Sequence, residues 1–147
     1  MMHARLIILA AVLSLAACAA FREDRSWSDD IAKEDAAQIA GTVAALIVER
    51  VPADGSPLIA IAPATGVTGK EVEALLCKEL EQHGYKLAKT EGTPAEAHRL
   101  RYLITKYGSG YALRVTLDGA EATTAFSRLG GGQLVASAPL AVKEAVR

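Results

Sequence analysis

Histidine, cysteine and aromatic residues are scarce in this 147-residue chain, and each scarcity closes off some chemistry. Of three histidines, His3 lies in the extreme N-terminal segment. His83 and His98 remain, fifteen positions apart, at an expected helix end and in an expected loop, with no second ligand at metal-site spacing. Neither a metal nor another cofactor is therefore expected. The two cysteines are Cys18 and Cys77. Cys18 is assigned below to acylation, which leaves Cys77 without an intramolecular partner. On a helix starting near Lys70 the apolar stripe is Val72, Leu75, Leu76 and Leu80. Cys77 falls at its edge beside Glu73 and Glu81, either as a packed, inert residue, the commoner outcome, or as a thiol open to an intermolecular bridge.

Catalytic patterns are missing as well. Gly108-Ser109-Gly110 lacks the flanking strand and helix of a nucleophile elbow, and its glycines serve backbone angles. Thr65-Gly66-Val67-Thr68-Gly69-Lys70 has two residues between its glycines where a phosphate loop needs four. Glu71 then stands where a magnesium-binding Ser or Thr belongs. Carboxylates on the helices sit at solvent-face spacing. No internal repeat or low-complexity tract is present. A binding or structural protein is expected, not an enzyme.

The N-terminus is informative. Arg5 provides positive charge, Leu6 to Leu13 is an unbroken apolar run, and small residues lead to Cys18. That is the layout of a secretory signal, too short and wrongly flanked for a membrane span. Leu15-Ala16-Ala17-Cys18 matches a bacterial lipobox: the small residues let the chain lie extended in a peptidase groove, and the Cys18 thiolate accepts diacylglycerol. Two or three acyl chains make a stable anchor where one is marginal. Ala19, in place of the Asp that favours inner-membrane retention in enteric-type bacteria, points to the outer membrane, facing the periplasm. The expected partition is a signal at 1–17, a lipidated tether at 18–30 and one domain at 31–147. Removing 17 residues leaves 130, enough for one real core.

The net charge of −1 hides an asymmetry. Cys18 to His98 carries 8 Lys/Arg against 14 Asp/Glu; Arg99 to Arg147 carries 7 against 3. Opposite signs in the two halves suit oriented docking, not direct nucleic-acid binding; two solvated faces of opposite bias is the plainer reading.

Residues 28–50 read as one amphipathic helix. Ser28 would cap it, Asp29 and Asp30 would complement its dipole, and Ala32, Ala36, Ile39, Ala40, Val43, Leu46 and Ile47 would form a flat apolar face. Leu58 to Ala62 reads as a strand buried on both faces. Thr68 and Glu71 fit a capping box for a second helix that runs to about His83, where Gly84 closes it. Tyr85 to Lys89 is a short strand. From Leu100 onward, apolar and polar residues alternate, with turns at Gly108-Ser109-Gly110, at Asp118-Gly119, the type I′ dipeptide, and at Gly130-Gly131-Gly132. A third strand of this run is expected over about 121–129. A last strand at 133–142 carries Pro139 and so belongs at an edge. The predicted fold is α+β, with two helices on one face of a mostly antiparallel sheet, in the order α-β-α-β followed by a meander.

A lipobox, a short tether and a long helix precede an apolar strand. Then come a helix ending in His83-Gly84-Tyr85 and the segments Leu100-Arg101-Tyr102-Leu103-Ile104 and Tyr111-Ala112-Leu113-Arg114-Val115-Thr116-Leu117. This order resembles the TrbH family of conjugal transfer lipoproteins over essentially the whole chain. The resemblance implies a small outer-membrane component of a type IV secretion apparatus that moves plasmid DNA, placed beside larger core subunits. It carries over no active site and only Cys18, as the acylation point. An alternative is an envelope lipoprotein that regulates a cell-wall enzyme, which a long stalk would favour; the expected tether is only about a dozen residues. A periplasmic enzyme is disfavoured by the missing catalytic patterns. For docking, the basic C-terminal half offers Arg101 and Arg114. Arg114 alternates with Leu113 and Val115 and so projects away from the core. Arg99, Lys106, Arg128 and Lys143 join the same basic cluster, and the edge strand offers strand addition.

Overall fold

The structure is a computed structural model that describes residues 25–88, 93–137 and 141–145. Cys18, the segment before it and Pro139 lie outside the described residues.

The alternating segments form the centre of the sheet. Strands β5 (His98–Tyr107), β6 (Gly110–Leu117) and β7 (Ala120–Arg128) are antiparallel neighbours. Leu100 stands opposite Leu117, Tyr102 opposite Val115 and Ile104 opposite Leu113. All six are buried, because period-two alternation puts every second side chain on one face. Asp118 and Gly119 both have positive φ, 50° and 84°, the pair of angles a type I′ turn needs.

Two helices cover that face: α1 (Lys33–Arg50) and α2 (Gly69–Gln82). The Tyr102 hydroxyl donates to the Gly69 carbonyl at the start of α2 (3.3 Å), and the Tyr111 hydroxyl to Asp35 Oδ2 in the first turn of α1 (3.1 Å). Both tyrosines rise from the same side of the sheet, so both helices lie there. Ala36, Ala40 and Ala44 of α1 are buried with Ile39, Val43 and Ile47, and Val72, Leu76 and Leu80 of α2 are fully covered. Each large aliphatic side chain so enclosed contributes about 1.5–3 kcal/mol. Gly84 (φ 91°) ends α2 as predicted. Its N–H bonds to the Glu81 carbonyl and that of Tyr85 to Leu80, the paired bonds of a Schellman motif.

The sheet is mixed, and β5 organises it. On the edge away from β6, β5 pairs in parallel with β2 (Leu58–Ile61) through residues 98–100 and with β1 (Ser26–Ser28) through 103–104. β4 (Lys86–Leu87) extends β2, and β3 (Ala64–Thr65) extends β1, both in parallel. The α+β class and the mostly antiparallel sheet stand as predicted.

Four expectations are corrected. The first helix begins at Lys33 with Ala32 as its N-cap, not at Ser28. Ser26–Ser28 instead forms a strand, so the element order begins with β and the expected tether contributes to the sheet. Capping at Ser28 would have satisfied one helix N–H. As a strand, the segment satisfies the open edge of β5: Ser26 Oγ accepts from the Tyr102 N–H, and Asp29 N–H donates to Ile104 O. Glu34 and Asp35 occupy the first turn of α1 in place of Asp29 and Asp30. The capping box at α2 does not form. Thr68 Oγ1 donates to the Asp29 carbonyl (2.8 Å), and Glu71 N–H bonds the Thr68 carbonyl instead of its side chain. Residues 64–65, expected in a loop, form β3. Finally, the last strand is two: β8 (Leu134–Ala136) and β9 (Ala141–Lys143), both antiparallel to β7.

Candidate docking face

Among the described residues, both helices lie on one face of the sheet and neither covers the other face. Leu103 opposes Arg114 and Arg101 opposes Thr116, so Arg101 and Arg114 are diagonal neighbours on this open face. Arg99 shares it by alternation along β5. Glu121 opposes both Thr116 and Lys143, which puts Glu121 and Lys143 there too. Glu121 is the acidic member of the group and lies 3.5 Å from the Arg114 guanidinium. Both side chains are substantially exposed, so this pair contributes little to stability and mostly orients Arg114. Trp27 of β1 opposes Leu103 and is 44% exposed on the same face.

Two members of the expected basic cluster stand elsewhere. Arg128 turns toward the helix side, where both its Nη atoms bond the Asp35 carboxylate and Nη1 also donates to the Gly132 carbonyl (3.0 Å). The hydrogen bond to Asp35 raises the guanidinium pKa further. The Asp35 side chain is 4% exposed, so this is a buried lock joining α1, the start of β6 and the β7–β8 turn. Sequence reading missed it because Asp35 falls on the apolar side of α1 and its partner is 93 residues away. Lys106 lies at the end of β5, and its N–H donates to Asp29 Oδ2 (2.8 Å). That bond, then the one from Trp27 Nε1 (3.1 Å), lowers the Asp29 pKa.

Several other titratable groups brace the fold. His98 Nδ1 lies 2.7 Å from Asp118 Oδ2, and Asp118 Oδ1 accepts the Arg99 N–H, so the turn aspartate clamps the start of β5. Burial pushes the Cys77 thiol pKa up, and Glu73 and Glu81 add to the effect. Burial likewise raises Tyr102 far above the ordinary phenol range. Among the described residues no group of His, Cys, Asp and Glu could hold a metal ion, and no helix is long and apolar enough to cross a membrane.

Where β2 leaves the sheet, the open face is hollowed into a groove of about 660 Å³, lined among others by Ala60, Ala62, Pro63, Arg99, Arg101 and Thr116.

Comparison with known families finds one described as "Conjugal transfer protein TrbH", whose profile matches residues 21–145. Comparison with curated proteins and with solved structures found no match.

Proposed function

The chain belongs to the TrbH family of conjugal transfer proteins, and from that premise we propose that it is an outer-membrane lipoprotein that helps assemble a conjugative type IV secretion system. Cys18 carries the lipid, and the domain faces the periplasm. Its open sheet face docks on the larger core subunits of the channel, with Arg101 and Arg114 orienting the contact. The protein works by binding, without catalysis and without touching the transferred DNA.

The observation that carries this reading is the arrangement of the open face. One side of the sheet is buried under two helices; the other presents Arg99, Arg101, Arg114 and Lys143 beside an exposed Trp27. Arginine and tryptophan are favoured at protein interfaces, and charges at the rim steer a partner into register. Strand β1 begins eight residues after Cys18. At 3.3–3.6 Å per residue that link spans about 29 Å at most. A domain held so close to the membrane suits a subunit packed into a membrane-embedded channel better than one reaching across the periplasm to a cell-wall enzyme.

Two measurements test the proposal. A fatty-acid analogue is expected to label the wild-type chain and not Cys18→Ser. A clean deletion in a donor strain is expected to abolish or sharply reduce conjugation, with rescue by wild type and poor rescue by Cys18→Ser. Equal labelling would refute the anchor, and normal transfer in the deletion would refute the assembly role.

A further inference from the structure

Strands β1, β3 and β5 are parallel, and β5 and β7 both run antiparallel to β6, so all four finish at one end of the sheet. The three most exposed large hydrophobic side chains among the described residues stand at that end. Val67 (80% exposed) lies two residues beyond β3, Tyr107 (69%) at the last position of β5, and Leu129 (54%) directly after β7. Each adjoins a glycine, Gly66, Gly108 or Gly130, at a chain turn. Both helices start at the same end. Asp35 in the first turn of α1 bonds Tyr111 and Arg128, and Thr68, before α2, bonds the Asp29 carbonyl. Trp27, opposite Leu103 on the open face, is four residues short of Tyr107, about 13 Å along the sheet.

The spacing of these tips identifies what they meet. In the strand order β3-β1-β5-β6-β7, Val67 and Leu129 flank Tyr107 at two strands each, a spread of about 20 Å. A protein partner packs on one contiguous cluster, and single tips parted by glycine turns do not make one. A lipid interface is fluid and accepts separate side chains one by one, with aromatics at the headgroup level. Charge at this end is balanced, Lys33, Lys70 and Lys106 against Asp29, Asp30 and Glu34, so contact there rests on the apolar tips. The anchor allows it. Tyr107 lies five rows beyond Ser26, about 17 Å, and the link from Cys18 to Ser26 spans about 29 Å at most. In this posture the sheet stands on its end, with its open face turned sideways toward a neighbouring subunit.

We propose that this end of the domain rests in the membrane interface, with Val67, Tyr107 and Leu129 inserted among the lipid headgroups. The inference rests on the Cys18 anchor given above and adds a second, protein-borne contact with the same surface. The test uses the mature lipoprotein in phosphatidylcholine vesicles, with the single tryptophan moved to the tip by Trp27→Phe and Tyr107→Trp. Its emission is expected to shift to shorter wavelength and to be quenched by brominated phosphatidylcholine, at low and high salt alike. Trp27→Phe with Val48→Trp, about 22 Å along α1 from Lys33, is expected to stay unquenched. V67D/L129D in the Tyr107→Trp chain is expected to lose the quenching. Leu129→Trp in the Trp27→Phe chain gives a second reading should the first variant fail to fold. An unquenched tip, equal quenching at Val48→Trp, or indifference to V67D/L129D overturns the proposal. Emission that follows protein concentration and ignores brominated lipid also overturns it, since a second copy would then cover the tips. A Cys18→Ser chain held by an N-terminal histidine tag on nickel-chelating lipid separates the two readings. Tip quenching there, with no acylation of the wild type, faults the anchor alone; an acylated chain with unquenched tips faults this proposal alone.

Discussion

Gly110 offers a quantitative check on how tightly β6 and β7 are joined. Both glycines of Gly108-Ser109-Gly110 were expected to serve backbone angles, and the structure separates them. Gly108 has φ 57° and open space around a would-be Cβ, so alanine there meets only the left-handed backbone penalty, about 1–2 kcal/mol. Gly110 needs no unusual φ, but a Cβ there would lie 1.8 Å from the Phe126 carbonyl oxygen and 2.7 Å from its carbon. An ordinary contact needs at least about 3.2 Å, as between non-bonded carbon and oxygen, so the strands must part by more than an ångström. That movement breaks the pairing of Tyr111 with Phe126 and lifts Phe126, 1% exposed, from the core. Overpacking alone costs about 1–3 kcal/mol, and the lost strand bonds add to it. Gly110→Ala is therefore expected to cost about 3 kcal/mol or more, clearly beyond Gly108→Ala. The assay is urea unfolding of the Cys18→Ser chain, followed by the fluorescence of Trp27, its single tryptophan. A Gly110→Ala variant no less stable than Gly108→Ala would refute the close approach of β6 and β7.

Asp35→Ala leaves the buried Tyr111 hydroxyl without its acceptor and should cost about 1–3 kcal/mol in the same assay, more than Tyr111→Phe at about 1 kcal/mol. Asp29 titrates below its ordinary value of 3.8 when folded. Its contribution is thus fully present above that value and lost as the pH falls through the lower folded one, and Asp29→Asn should flatten the acid limb of the stability curve. Burial raises the Cys77 thiol pKa, so at neutral pH it holds less thiolate in the folded chain than in the unfolded one. Its reaction with a disulfide reagent should be at least about tenfold slower in the folded chain than in urea.

Local signals carried the centre of the fold. Leu58 to Ala62 as an apolar strand (Leu58–Ile61 in the structure), the alternation through β5 and β6, the type I′ turn at Asp118-Gly119 and Gly84 as helix stop all depend on near neighbours in the chain, and all were legible. The misread parts depend on distant ones. Ser26–Ser28 has few strand-forming residues and adjoins a plausible helix cap; it becomes a strand because β5, 76 residues later, presents an unpaired edge to it. Thr68 likewise leaves its capping role for a carbonyl 39 residues away. On the candidate face, alternation correctly aimed Arg114 outward, and the register then brought Arg101 beside it. Charge counting alone misassigned Arg128, because nothing local marks Asp35 as its buried partner.

The most direct test of the central claim is a paired measurement on R101E/R114E in a donor strain: capture of the outer-membrane core subunits by the tagged lipoprotein, and mating frequency. Both positions are on the uncovered face, and Arg114 is exposed, so lipidation, abundance and the unfolding midpoint should match wild type. Reversed charges at the rim should cut capture about tenfold, equivalent to about 1.4 kcal/mol, and lower transfer with it. Undiminished capture and transfer by a folded, lipidated double variant would contradict docking through this face.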